Sequence, residues 1–208
     1  MSQEPVQHGA GATSLCWAEL KGESVLVSSG HDGTLALRDP NKPAKVLQSF
    51  KIAQPLHDVA CVNIDGQPCA LVAQEDSYAK VERAPHGRPP PTPPPPQAYK
   101  LEDGTFEAIC TRMVLPPRTI CASPAGDEIV VAGDDDGIKI IGATQELKVL
   151  RTLRGAAYIR SVAYDPDLSF LAAATADGLL AVWDMQTGKQ LVARKRAVPK
   201  VGAYFRGA

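Results

Sequence analysis

The residues of this chain that could do chemistry include a run of three aspartates, four histidines and five cysteines. The most suggestive run is Asp134-Asp135-Asp136-Gly137, which superficially resembles a calcium-binding loop. With Gly137 at the sixth position of such a loop, the first and twelfth ligands would be Ala132 and Ala143, which carry no side-chain oxygen. We therefore interpret the run as a polar turn between buried strands.

The histidines and cysteines lack the spacing of a metal site or a redox motif. The histidines are scattered through predicted loops and strand starts. The cysteines are odd in number, and no two of them form a Cys-x-x-Cys pair. No secretory signal peptide is recognisable, so we expect reduced, mostly buried thiols in an intracellular protein. Motifs of serine hydrolases, zinc proteases and phosphate-binding loops are also missing from the sequence. We expect no enzyme activity, no cofactor and no metal.

The composition is that of an ordinary soluble globular protein. The 208 residues are 44% hydrophobic and 22% charged, and the formal net charge of −1 gives no field that favours nucleic acid or an anionic membrane. No apolar run approaches the ~18 residues of a membrane-spanning helix, so we expect no membrane partner. The tail, residues 195–208, is basic and could contact phosphates. Solvated charge is the commoner use of such a tail, and we do not expect direct contact with DNA.

The elements that must position these residues are short β-strands in a repeated unit. In the clearest unit, Arg160–Asp184, three short apolar runs are separated by the turns Asp165-Pro166-Asp167 and Ala176-Asp177-Gly178. A fourth strand is predicted at Gln190–Arg194. The unit is thus a four-stranded antiparallel sheet of about 40 residues, whose third strand ends on Trp183-Asp184. The pattern resembles one blade of a WD-repeat β-propeller.

Three further repeats precede this unit at a spacing of about 41 to 44 residues, apart from one insertion. In the first repeat, Arg38-Asp39 stands where Trp-Asp would be expected. We predict an all-β fold of four WD40-type blades that form an incomplete, open propeller. The predicted divisions are a flexible N-terminus at 1–12, the blades at 13–194 and the basic tail at 195–208. The residues with predicted roles in turns and at strand ends are Asp32, Gly33, Asp136, Gly137, Asp177, Gly178, Trp183 and Asp184.

The second repeat is the weakest, because a proline-rich insertion at 85–103 interrupts it. Its run of prolines at 89–96 cannot donate ladder hydrogen bonds and favours extended polyproline II. The run is either a tolerated loop expansion or a ligand for SH3, WW or profilin-type grooves. The strands predicted for this repeat are His57–Val62, Cys69–Ala73, Tyr78–Glu82 and, after the insertion, Ala108–Val114.

A candidate binding surface follows from the repeat alignment. Arg118 and Arg160 occupy matching positions just before the first strands of adjacent blades, and strand order in a propeller places both on one rim. Matched arginines beside acidic turns predict a protein-docking face, which we call the docking rim. The alternative is that the two arginines satisfy backbone carbonyls at blade edges. The predicted docking rim comprises His31, Arg118, Asp134, Asp135, Tyr158 and Arg160.

Parts of the third and fourth repeats carry a more specific resemblance. The stretches Thr111–Arg118, Ala132–Ile141 and Ser161–Pro166, with Ser29–Gly33 of the first repeat, resemble one family. It is the N-terminal propeller of the replisome adaptor called acidic nucleoplasmic DNA-binding protein or chromosome transmission fidelity protein 4. The resemblance implies a nuclear scaffold at replication forks that links the replicative helicase to DNA polymerase α–primase and serves cohesion.

The same resemblance implies structural consequences. The family's propeller is usually seven-bladed, so a chain with four repeats would be either a fragment or a truncated gene product, and the isolated chain should self-associate or require its missing blades. Ala156 stands where the family pattern would place a histidine, so the Trp-Asp-Ser-His network around Trp183 should be incomplete. Two other functions are compatible with the repeats. They are a generic WD scaffold in trafficking or signalling, and an enzyme that uses the propeller channel.

Overall fold

The structure is a computed structural model that describes residues 8–52, 54–74, 97–101, 106–108, 116–135, 137–144 and 146–195. Within these ranges the regular structure is entirely β-strand, and sixteen strands form four antiparallel sheets of four strands each. We call these sheets blades 1 to 4. The all-β prediction of WD40-type blades is thus confirmed.

The strands follow one another across each blade, as expected for short turns between apolar runs. The strands of blades 1 and 2 are β1 (Ala12–Leu20), β2 (Glu23–Gly30), β3 (Thr34–Asp39), β4 (Lys42–Lys51), β5 (Leu56–Ile64), β6 (Gln67–Gln74), β7 (Gln97–Lys100) and β8 (Phe106–Ala108). The strands of blades 3 and 4 are β9 (Pro117–Ala122), β10 (Glu128–Gly133), β11 (Gly137–Gly142), β12 (Val149–Arg154), β13 (Ile159–Tyr164), β14 (Phe170–Thr175), β15 (Leu179–Asp184) and β16 (Gln190–Lys195).

The blades pack face to face, and the core lies in three layers between them. In β10, Val130 belongs to the layer between blades 3 and 4, whereas its neighbour Ile129 belongs to the layer between blades 2 and 3. Alternate side chains of a strand point to opposite faces, so a strand between two blades must be apolar on both. This requirement explains the uninterrupted apolar run at the centre of β10.

The outer faces of the two end blades are open to solvent. On blade 1, Leu15 is 62% exposed and Trp17 is 63% exposed. On blade 4, Leu180 and Val192 are each 41% exposed. The described residues therefore leave both end faces uncovered, and the four blades form an incomplete propeller.

The second blade departs from the sequence prediction at its third strand. We predicted Tyr78–Glu82 there, but β6 pairs through Cys69–Val72 with β7, Gln97–Lys100. The prediction was wrong because it placed the third strand only a short turn after the second, whereas the returning strand follows the proline run. Residues 75–96, which include Tyr78–Glu82 and the prolines, lie outside the described residues.

The fourth strand of the second blade begins before the predicted strand. β8 covers Phe106–Ala108 and pairs with β7, so it shares only Ala108 with the strand predicted at Ala108–Val114, whose other residues lie outside the described residues. The insertion predicted at 85–103 therefore contains β7, so the long connection precedes the third strand.

Two glycines between the second and third strands of their blades adopt left-handed backbone conformations. Gly33 has φ 76° and Gly178 has φ 82°, and their N–H groups donate to the carbonyls of Gly30 and Thr175. Gly137 differs, because it is the first residue of β11 and its φ lies outside the left-handed region. A side chain there would instead come within 3.2 Å of the Leu153 carbonyl oxygen.

Replacement of Gly178 by valine should lower the free energy of unfolding by about 1–3 kcal/mol, because a β-branched residue is strained at positive φ. Thermal and denaturant melts measure this loss. Ala176→Val, two residues away in the same exposed turn, is the matched control and should change stability little. Equal stability of the Gly178 variant and the parent chain would contradict the placement of Gly178 at positive φ in the turn between β14 and β15.

Candidate protein-docking rim

The docking rim is built by one irregularity that recurs in all four blades. In β1, Ala12 pairs with Gly30 and Ser14 pairs with Ser29, so the residue between them has no partner in the register. The first strands of the other blades show the same shift at the same position. Such a bulge turns a side chain away from the ordinary pleat. The four bulge residues are Thr13, His57, Arg118 and Arg160.

Asp134 joins the two arginines of the docking rim. It follows β10 directly, and its Oδ2 accepts a hydrogen bond of 3.1 Å from Arg118 Nε. Its Oδ1 accepts a hydrogen bond of 2.5 Å from Arg160 Nη1, which belongs to the next blade. The alternative prediction, in which the two arginines donate hydrogen bonds to backbone carbonyls at blade edges, does not account for these contacts. Two guanidinium groups from adjacent blades share one carboxylate.

Two histidines extend this contact chain to the first blade. Arg118 Nη1 lies 2.5 Å from His57 Nε2, which joins blades 3 and 2. The His57 ring contacts the His31 ring edge-on, with 5.5 Å between their centroids. The side chains from His31 to Arg160 thus form one continuous polar path across all four blades.

The charge of Asp134 is fixed by this arrangement. Its partial burial opposes ionisation, but the hydrogen bonds from Arg160 and Arg118 outweigh that effect and lower the pKa of the carboxyl below its ordinary value. Asp134 is therefore ionised at neutral pH and forms ion pairs with the guanidinium groups of Arg118 and Arg160. Charge-assisted hydrogen bonds of this kind hold the side chains of a binding surface in place.

Arg160 and Tyr158 are the most accessible residues of the arginine half of the rim. The Arg160 side chain is 44% exposed, and Tyr158 is 55% exposed. Tyr158 has a positive φ of 55°, an uncommon conformation for a residue with a large side chain, and its carbonyl accepts a hydrogen bond from the Ala176 N–H. Arginine and tyrosine are the residue types that dominate binding energy at protein interfaces.

The other predicted residues lie around the same turns. Asp32 accepts backbone hydrogen bonds from Gly9 and Thr34, which outweigh its partial burial and lower its pKa to about 2. Asp177 accepts a hydrogen bond from the Thr175 hydroxyl in the corresponding turn of blade 4. Asp135 is half-buried beside Asp134. Asp136 lies outside the described residues.

Asp184 and Trp183 lie away from the rim. Asp184 is at the far end of β15, where its Oδ1 accepts hydrogen bonds from the Thr187 N–H and hydroxyl. Trp183 is fully buried, and its Nε1 donates to the Arg154 carbonyl at 3.1 Å. Ala156, where the resemblance led us to expect a missing histidine, is buried in the same core layer.

Sequence reasoning missed a polar network in blade 1. His8 Nε2 lies 2.9 Å from Ser28 Oγ, and Arg38 Nε donates to the same oxygen at 3.2 Å. His8 Nδ1 lies 3.5 Å from Asp32, and its side chain is only 5% exposed. Arg38 thus reaches Ser28 from the position where tryptophan was expected. The available signal was a histidine shortly before the first strand, but it fell in the segment predicted to be flexible.

A second missed residue is Asp58, which joins blades 2 and 3. Its Oδ2 accepts hydrogen bonds from the Thr119 hydroxyl at 2.9 Å and from the Ile120 N–H at 3.0 Å. Asp58 follows the bulge residue His57, so it lies just beneath the rim and fixes the blades that carry His57 and Arg118. Nothing in its immediate sequence distinguishes it from a turn aspartate.

The described ranges hold no group of three or more histidine, cysteine, aspartate or glutamate side chains able to bind a metal ion. A search of the same ranges for helices long and apolar enough to cross a membrane found none. What the docking rim offers is a pre-positioned set of hydrogen-bond donors, acceptors and one exposed aromatic ring.

Comparison with known proteins identifies the repeat. The family described as "WD domain, G-beta repeat" matches residues 147–184, which cover β12 and the first three strands of blade 4. Over 89 residues the chain is 28% identical to Minichromosome loss protein 1 of Schizosaccharomyces pombe. This alignment covers 43% of the chain and 11% of the length of that protein.

The fold and the match together define a protein with a WD40 repeat in a set of β-propeller blades. WD40 domains are generally non-catalytic scaffolds that mediate protein–protein interactions. The chain aligns with only about a tenth of the relative's length.

Proposed function

We propose that this protein is a non-catalytic interaction scaffold that binds a segment of a partner protein at the docking rim. The observation that carries the proposal is the bulge that recurs at one position in every blade. It brings His57, Arg118 and Arg160 to one rim, where Asp134 links the two arginines.

The docking rim has the physical properties of a binding surface. Its buried part is already ordered by charge-assisted hydrogen bonds, so little side-chain freedom is lost when a partner binds. Its exposed part offers the Arg160 guanidinium and the Tyr158 ring, which can contact backbone carbonyls, carboxylates and apolar side chains of a peptide. A peptide laid across blades 3 and 4 would contact both.

We further propose that the protein acts in the nucleus at replication forks, as part of an adaptor between the replicative helicase and DNA polymerase α–primase. Two findings support this assignment. The third and fourth repeats resemble the N-terminal propeller of the replisome adaptor family, and the aligned fission-yeast protein bears a name that refers to minichromosome loss. The proposed partners are therefore proteins of the replication machinery.

Affinity capture from replicating cells tests both parts of the proposal. Arg160→Ala should reduce recovery of replication proteins roughly tenfold or more, because truncation of an arginine that is a hot spot of an interface costs more than about a factor of ten in affinity. Lys189→Ala is the matched control, since Lys189 is exposed and lies beyond Asp184 at the opposite end of blade 4. The control should bind as the parent chain does.

The outcomes separate the competing functions. Loss of replication proteins with Arg160→Ala alone supports the docking rim and the replication assignment. A trafficking or signalling partner lost with the same variant would support the rim and overturn the replication assignment. Equal recovery with both variants would overturn the rim. A turnover reaction catalysed by the purified chain would overturn the non-catalytic assignment.

A further inference from the structure

The first strands of neighbouring blades contact one another in a regular way. The third residue after the bulge in one first strand lies against the fourth residue after the bulge in the next. Between blades 2 and 3 these residues are Ala60 and Ala122, which share one core layer. Between blades 3 and 4 the Cys121 thiol lies beside the backbone of Tyr164. The same rule pairs Cys16 with Cys61 between blades 1 and 2.

The two sulfur atoms of this pair are in direct contact. Cys16 Sγ lies 2.7 Å from Cys61 Sγ, and both are free thiols. This separation is only about 0.7 Å longer than a covalent S–S bond. Since the repeat geometry places them together, the contact is a consequence of how the blades stack. Both residues are half-buried, so a small oxidant can reach them after a modest opening of the blade interface.

We propose that Cys16 and Cys61 are an oxidation site, where a disulfide forms that ties blade 1 covalently to blade 2 when the protein meets a small-molecule disulfide such as glutathione disulfide. The proposal revises our expectation that all the cysteines are simply reduced. It concerns the stability of the scaffold and is independent of the partner that the docking rim binds.

The chemistry is two successive thiol–disulfide exchanges. The Cys16 thiolate attacks one sulfur of glutathione disulfide, a Cys16–glutathione bond forms, and the first glutathione leaves as a thiolate. The Cys61 sulfur then loses its proton and attacks the Cys16 sulfur, which releases the second glutathione. Two protein thiols are oxidised to one disulfide, the oxidant is reduced to two glutathione molecules, and the departing thiolates take up the two protons.

The surroundings of Cys61 affect the second exchange. The contact with Cys16, together with burial, raises the pKa of Cys61 well above its ordinary value, so this sulfur stays protonated. Once Cys16 carries glutathione, the contact that most strongly raised the pKa of Cys61 is gone, which favours the second exchange.

The Cys16–Cys61 disulfide would hold blade 1, which has a neighbouring blade on one face only among the described residues. The described residues of blade 1 pack against blade 2 on one side, and the other side of blade 1 exposes Leu15 and Trp17. A disulfide between residues 45 positions apart restricts the unfolded chain and keeps blade 1 attached. The oxidised protein should melt roughly 6 to 15 °C above the reduced protein.

Peptide mapping of the folded 208-residue chain tests the proposal. The chain is equilibrated without denaturant in buffers of defined glutathione to glutathione disulfide ratio, quenched in acid, alkylated and digested. We expect a linked peptide pair that contains Cys16 and Cys61, which disappears on reduction, and the rise in melting temperature given above. Cys16→Ser should lose both the linkage and the rise, whereas Cys69→Ser, on the opposite face of the same sheet, should keep both.

The peptide map of the unsubstituted chain tests the proposal even if a variant folds poorly. Absence of the Cys16–Cys61 linkage in excess glutathione disulfide would overturn the proposal. Linkage that appears only after denaturation, or equal linkage of Cys16 to several other cysteines, would overturn it as well.

Discussion

Replacement of Trp183 by alanine is expected to lower the free energy of unfolding by about 3–5 kcal/mol. The indole is fully buried in the core layer between blades 3 and 4, which also contains Val130, Ile140 and Leu153. Its removal leaves a cavity that surrounding strands cannot fill. It also leaves the Arg154 carbonyl without the hydrogen bond that Nε1 donates. Since a domain is stable by only about 5–15 kcal/mol, this single change removes a large part of its stability.

The second tryptophan provides a matched control for this prediction. Trp17→Ala removes the same atoms from the outer face of blade 1, where the side chain is 63% exposed. We expect it to change stability by less than about 1 kcal/mol in dilute solution. Denaturant unfolding followed by circular dichroism compares the two variants, because their fluorescence signals differ. Equal losses would contradict the assignment of one tryptophan to the core and the other to an open face.

The purified 208-residue chain is expected to self-associate unless further blades or a partner cover its end faces. Leu15 and Trp17 are exposed on the outer face of blade 1, and Phe170, Leu180 and Val192 on the outer face of blade 4. The half-buried Leu26 and Val182 extend these apolar surfaces, since they pair with Trp17 and Val192. Exposed apolar patches of this kind mark association sites or aggregation liabilities.

Light scattering over a concentration series measures this association. We expect the apparent mass to rise with concentration for the parent chain. Trp17→Lys should suppress the rise, because it places a charge on the outer face of blade 1. Lys148→Ala, an exposed change in the β11–β12 connection, is the control and should associate as the parent does. A concentration-independent monomer with a cooperative melt would mean that the end faces are covered within one chain.

Much of this fold was predictable because the signals are local. Blade 4 follows from turn residues and apolar runs, and β14 (Phe170–Thr175) lies between the two turns that the sequence predicted at 165–167 and 176–178. The sequence prediction for blade 2 failed at β7, because a strand of four residues after a proline run has no periodic signal of its own. Only the register with β6 identifies it, and that pairing depends on tertiary structure.

The docking rim was predictable in part. The repeat alignment matched Arg118 with Arg160 and predicted that both lie near Asp134. It did not predict that they share one carboxylate, or that His57 occupies the equivalent position in blade 2. These contacts depend on a bulge, which shifts the register by one residue and leaves no distinctive mark in the sequence. The roles of His8 and Arg38 were missed for a related reason, since their contacts join segments that are distant in sequence.

Site-specific photo-crosslinking in replicating cells tests the central proposal, partner binding at the docking rim, most directly. A photo-crosslinking amino acid replaces Tyr158, which is exposed beside Arg160, and in a parallel experiment replaces Lys189 at the opposite end of the same blade. We predict that the Tyr158 position crosslinks to a protein of the replication machinery and that the Lys189 position does not. Crosslinks to that protein from Lys189 alone, or no crosslink from Tyr158, would contradict partner binding at the docking rim.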